Sequence, residues 1–121
     1  MVLLGLLHLG YTVHDFGARP RYFRPQNAEL LTDMREAKTA LAPHGRDYWS
    51  GILGFHLSHS LGVLQYALLI YLATTFGISW LKPVLVGVGI SYGLISYRCW
   101  FRIPTIGVSI ATALLIIGWL V

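Results

Sequence analysis

Residues 48–75 read YWSGILGFHLSHSLGVLQYALLIYLATT, and the whole run passes without one Asp, Glu, Lys or Arg. A helix needs about 20 predominantly apolar residues to cross the hydrocarbon of a bilayer. This stretch exceeds that, and two later stretches, about 81–100 and about 103–121, come close to it. A fourth, about 1–13, is apolar but short. About 13 residues of helix rise only about 20 Å against a hydrocarbon layer of about 30 Å. The expectation is that this first helix is truncated at its start.

Composition agrees with that reading. Of 121 residues, 55% are hydrophobic and 12% charged, with mean hydropathy +0.62. An ordinary soluble domain carries about 25% charged residues. The deficit argues against a water-soluble enzyme domain, a disordered tail or a nucleic-acid-binding module. The formal net charge is +4, but no basic run is interleaved with aromatics as nucleic-acid binding would need. The expected partners are the lipid bilayer and either further copies of the chain or subunits of a membrane complex. Cys99 is the single cysteine, so no internal disulfide can form. The apolar start lacks a basic leader and a small-residue cleavage pattern, which disfavours a secretory signal.

The only substantial polar stretch lies between the first and second apolar segments, residues 14–50. Gly17-Ala-Arg-Pro-Arg-Tyr-Phe-Arg-Pro25 resists helix at its two prolines. Asn27 then suits an N-cap, predicting an amphipathic helix over about 27–42 that ends before Pro43 and Gly45. Leu30, Met34, Ala37 and Leu41 recur on one face of it, while Arg35, Glu36 and Lys38 fall mostly elsewhere. Such a helix suits a membrane surface. The fold class expected is therefore all-α: a transmembrane four-helix bundle in a single domain, residues 1–121, with one interfacial helix between the first and second spans.

Basic residues orient the bundle. Arg19, Arg21, Arg24, Arg35, Lys38, Arg46, Arg98 and Arg102 share one side of this threading, and Lys82 stands alone on the other. The positive-inside tendency makes residues 14–50 and 98–104 cytoplasmic in a multi-pass cell-membrane protein. Trp49, Trp80, Tyr97 and Trp100 flank the segment ends, as an interfacial aromatic belt does.

Ionisable side chains at membrane depth face a bundle interior or a cavity. His8 and His56 each fall about 10 Å below the same surface at 1.5 Å of rise per residue, and His59 lies one turn deeper. Three chemistries compete. Neutral imidazoles can hydrogen-bond neighbours such as Ser60, Ser91, Tyr92 or Thr12 and fix helix register. His8 and His56 can ligate a metal or haem. The cluster, with Ser60, Gln65 and Tyr92, can line a proton relay or a polar ligand cavity. The first is favoured, so no cofactor is expected and catalytic residues are not assigned. No GxSxG, HExxH or paired-carboxylate motif occurs, and Gly87-Val-Gly89-Ile-Ser-Tyr-Gly93 has the wrong spacing for a nucleotide loop.

Small residues form stripes. Gly51, Gly54, Ser58, Gly62 and Gln65 fall within a sector of about 80° on the second helix. Gly89, Gly93 and Ser96 share a face of the third, Thr105, Ser109 and Thr112 of the fourth, and Gly5, His8 and Thr12 of the first. Small faces let membrane helices approach closely. Gly54, Ser58, Gly62, Gly89 and Gly93 are accordingly the expected packing positions.

Gly5-Leu-Leu-His8-Leu, then Trp49-(x)4-Gly54-Phe55-(x)2-Ser58-(x)2-Leu61-Gly62, then a proline opening the last helix, resemble an uncharacterised family of small bacterial four-helix membrane proteins with a DoxX-like layout. The resemblance implies a fold and no agreed activity. By analogy of fold it hints at a respiratory accessory role. The function expected is a non-catalytic accessory or self-associating bundle. The alternatives are a redox or small-ligand-binding protein using the histidines, or a transporter component that works as an oligomer.

Overall fold

The computed structural model describes residues 2–40, 42–99 and 102–120. Among these residues, five helices and one short hairpin follow in order: α1 (Val2–Asp15), α2 (Ala28–Glu36), β1 (Lys38–Thr39), β2 (Ala42–Asp47), α3 (Tyr48–Thr75), α4 (Leu81–Cys99) and α5 (Arg102–Leu120). The chain is thus mostly helical. It folds as two compact units, one from Val2 to Val63 and one from Leu64 onward, with α3 running through both.

In the first unit, Asn27 caps α2 as its sequence predicts, its side chain accepting from the Glu29 amide at 2.8 Å. The helix is shorter than expected. It stops at Glu36, because Ala37 turns extended (φ −65°, ψ 144°). Lys38–Thr39 and Ala42–Asp47 then pair antiparallel, Lys38 opposite Asp47. The periodicity of Ala37 extends the apparent helix past its end. Pro43 disfavours helical backbone at the residue before it, and Thr39 is β-branched and suits a strand. Lys38 therefore sits on a strand, where its Nζ donates to the Gly45 carbonyl at 3.1 Å. Leu41 lies outside the described residues. Asp47 caps α3 by accepting from the Ser50 amide and hydroxyl at 2.8 and 2.7 Å.

In the second unit, α3 ends in a glycine turn. Gly77 takes φ +63°, and the Ile78 amide donates to the Ala73 carbonyl at 3.0 Å. That is a Schellman closure, with glycine at the left-handed position that other residues adopt only with strain. Helices α4 and α5 pack antiparallel: Gly89 faces Thr112, while Lys82 lies 5.6 Å from the Trp119 ring centre. Tyr66, Ala73, Leu85 and Leu115 form the core, and the Tyr66 hydroxyl donates to the Leu85 carbonyl at 2.7 Å.

Among the described residues, two of the four expected spans, α3 and α5, are long and apolar enough to cross a membrane. At 14 residues, α1 is too short. Lys82 and Arg98 at the two ends of α4 lower its average. The aromatic flanks divide: Trp80 and Tyr97 are exposed, Trp49 is packed inside, and Trp100 lies outside the described residues.

Candidate functional site

The candidate site lies wholly within the first unit. Helix α1 supplies His8, and α3 supplies His56 and His59. The Nε2 of His8 stands 3.1 Å from the Nδ1 of His56. At that distance one ring carries a proton on the shared axis and the other accepts it. The His59 ring stands edge-on to His8, with centroids 5.7 Å apart. All three rings are partly buried. Equal depth from one surface was the reason to expect His8 and His56 together, and the rings do meet.

The loop that follows α1 completes the cluster. Asp15, the last residue of α1, is fully buried. Its carboxylate accepts from three successive backbone amides: Arg21 at 2.7 Å, Tyr22 at 2.9 and 3.2 Å, and Phe23 at 2.7 Å. The His14 ring adds a contact at 3.1 Å. Three consecutive N–H groups converging on one anion form a concave cradle. Burial pushes the Asp15 carboxyl up, but the Arg21 and Phe23 amides, the His14 ring and the Tyr22 amide outweigh it. The group is left below the ordinary carboxylate range.

The cradle places aromatic rings. Phe23 stacks on His56 with centroids 4.1 Å apart and planes 20° from parallel, and it tilts against His8 at 4.9 Å. Tyr22 stacks on Tyr11 at 4.1 Å. Phe55 lies parallel to His59 at 6.1 Å. Asp15 and Phe23 are thus the residues that sequence reasoning missed. The signal was available in part: a carboxylate at a helix end, followed by a glycine and two prolines, invites the loop to fold back onto it.

The other expected site residues fall elsewhere. Ser60 is buried, and its hydroxyl donates to the His56 backbone carbonyl at 2.8 Å, one turn back along α3. Thr12 does the same to the His8 carbonyl at 2.8 Å. Gln65 is exposed on α3 in the second unit, and Tyr92 is partly buried on α4 there.

The small-residue positions also divide. A Cβ on Gly89 would lie 2.6 Å from the Thr112 Oγ1 and 2.8 Å from the Tyr66 hydroxyl, so only glycine allows this approach. Gly54 and Gly93 have no such neighbour within 4 Å. Ser58 is exposed, its hydroxyl turned to the Phe55 carbonyl at 2.9 Å, and Gly62 is partly buried. No protein family, curated protein or solved structure matches this chain.

Proposed function

We propose that this chain is a small multi-pass membrane protein built on a four-helix bundle, non-catalytic, acting as an accessory or self-associating bundle in the cell membrane. One observation carries the reading: large apolar side chains stand exposed along the helices while several polar ones are buried among them. Thr12, Asp15, Ser60, Ser96 and Thr112 are buried. Leu3, Leu7, Phe55, Leu68, Leu94, Ile103, Ile106, Ile110, Leu114 and Ile117 are exposed. Each such apolar side chain gains roughly 1.5–3 kcal/mol on leaving water. A soluble helix would turn that face inward. Only 17% of the most apolar window of α3, and 17% of that of α5, is buried inside the molecule, unlike the core helices of a soluble protein. Exposed apolar surface on this scale calls for lipid or a partner. The four-helix layout that the sequence resembles supports the same threading, with α4 as a further span, residues 1–13 as a partial one, and residues 14–50 and 98–104 cytoplasmic.

The experiment is fractionation. The protein is expected to sediment with membranes, resist a carbonate wash and need detergent for extraction. A monodisperse, helical product in a detergent-free high-speed supernatant overturns the proposal. Light scattering on the detergent complex then separates a self-associated bundle from a monomer that needs other subunits.

A second reading, ligand binding at the histidines, is favoured by a separate observation. Two imidazole nitrogens meet across α1 and α3 at 3.1 Å, with an aromatic ring stacked on one of them.

A further inference from the structure

We propose that His8 and His56 form a two-nitrogen site for a borderline divalent transition-metal ion, of the class of zinc or copper(II). The proposal rests on the histidine-ligand reading and names its ligand. The first ground is distance. Imidazole nitrogens sit about 2.0–2.1 Å from such an ion. Neighbouring ligands then lie about 3.3 Å apart in tetrahedral geometry and about 2.9 Å apart in square-planar geometry. The observed separation of 3.1 Å falls between these. An ion can enter with shifts of a few tenths of an ångström, within what half-buried side chains allow.

The second ground is the identity of the atoms. Nε2 of His8 and Nδ1 of His56 point at one another from different helices, 48 residues apart. In the hydrogen-bonded state one of them carries a proton. To bind metal both must present lone pairs, so His8 keeps its proton on Nδ1 and His56 on Nε2. One ring changes tautomer, and neither loses its single proton. Neutral imidazole is the usual nitrogen donor for zinc and copper.

The third ground is the surrounding shell. Phe23 covers one face of His56 and tilts against His8. Stacking fixes ring orientation before binding, the service that outer-shell groups perform at metal sites. The three histidine rings are not fully enclosed by protein. Among the described residues no three His, Cys, Asp or Glu side chains form a metal-binding group. The two imidazole nitrogens are therefore the protein donors that the site counts.

The test uses the full chain in detergent micelles, purified without a histidine tag. Copper(II) and, separately, zinc(II) are titrated in. The expected result is one equivalent bound, with a copper(II) resonance spectrum showing hyperfine splitting from two nitrogens. His8→Gln and His56→Asn place an amide where Nε2 and Nδ1 stood. Each preserves the means of the interhelical hydrogen bond, and each is expected to weaken binding at least about tenfold. His44→Asn, on the hairpin, is expected to bind as the unaltered chain does. Absence of stoichiometric binding, or equal affinity in the two amide variants, overturns the site. Should either variant fail to fold, the nitrogen splitting of the unaltered protein decides. The two proposals separate on the same preparations. Protein that sediments with membranes yet binds no metal overturns the metal site alone. Protein that binds metal but stays in a detergent-free supernatant overturns the membrane reading alone.

Discussion

The backbone amide of Phe23 donates to the Asp15 carboxylate at 2.7 Å, and the ring of the same residue stacks on His56 at 4.1 Å. One residue therefore ties the end of α1 to the aromatic shell of the histidine cluster. Asp15→Ala strands three amides and is expected to cost roughly 2–3 kcal/mol, since hydrogen bonds to charged groups are among the stronger ones. The loop should loosen before the helices do. Hydrogen exchange at Arg21, Tyr22 and Phe23 is expected to accelerate, with a change in the ring-proton environment of His56. Unchanged exchange at those three amides would show that the carboxylate does not hold the loop.

The same carboxylate sets an acid limit. Its folded pKa lies below the ordinary value, so the folded state favours the ionised form. The stabilisation is fully present above the unfolded value, about 3.9. It is lost as pH falls through the lower folded value. Asp47 contributes with the same sign, held down by the Ser50 amide and hydroxyl at the start of α3. Thermal midpoints in detergent are expected to fall on acidification below about pH 4, more steeply for the unaltered protein than for Asp15→Asn. Parallel acid limbs would remove Asp15 from this role.

Why the sequence revealed some of this and not the rest follows from the range of the signals. Runs of apolar residues marked α3, α4 and α5 to within a residue or two, because hydropathy is a local property. The Asn27 cap was equally local. The meeting of His8 and His56 was legible through depth, since both rings count about the same number of residues from one surface. The hairpin after α2 was not. Ala37 continues a helical period that the backbone abandons, and strand pairing between residues 38 and 47 is a pairwise relation that helical periodicity does not register. The Asp15 cradle was hidden for a similar reason, because its donors are backbone amides six to eight residues away. The glycine stripes overstated packing: Gly89 is tightly opposed, but Gly54 meets nothing within 4 Å.

That contrast predicts a graded response. Gly89→Val forces side-chain atoms against the Thr112 Oγ1 and the Tyr66 hydroxyl, and overpacking of this kind costs roughly 1–3 kcal/mol. Gly54→Ala and Gly93→Ala have room for the added methyl and are expected to be neutral or stabilising by up to about 1 kcal/mol. Thr112→Ala and Tyr66→Phe together clear the obstructing atoms, so adding them to Gly89→Ala should recover part of its loss. Tyr66→Phe alone is expected to cost about 1 kcal/mol through its bond to the Leu85 carbonyl. Unfolding midpoints of this series in one detergent test the packing. Equal effects at Gly54 and Gly89 would contradict it.

The threading can be tested with the chain's own thiol. Cys99 is free and exposed at the end of α4, beside Arg98. The proposed orientation makes that end cytoplasmic, whereas the connection before Lys82 faces outward. A membrane-impermeant thiol reagent applied to intact cells should leave Cys99 unmodified, and permeabilised cells should show it labelled. Ser79 is exposed in the opposite connection. Ser79→Cys in a Cys99→Ser background is expected to label in intact cells. This pair of measurements bears on α4, the helix whose terminal Lys82 and Arg98 keep it from reading as a span by hydropathy alone. Those charges cost little at a bilayer surface, where long basic side chains extend into the headgroups, so a helix can cross while its average looks too polar. Opposite labelling of the two ends is the outcome that a crossing α4 requires. Labelling of both from one side would place α4 outside the bilayer, and the reverse pattern would invert the assigned orientation while keeping the span.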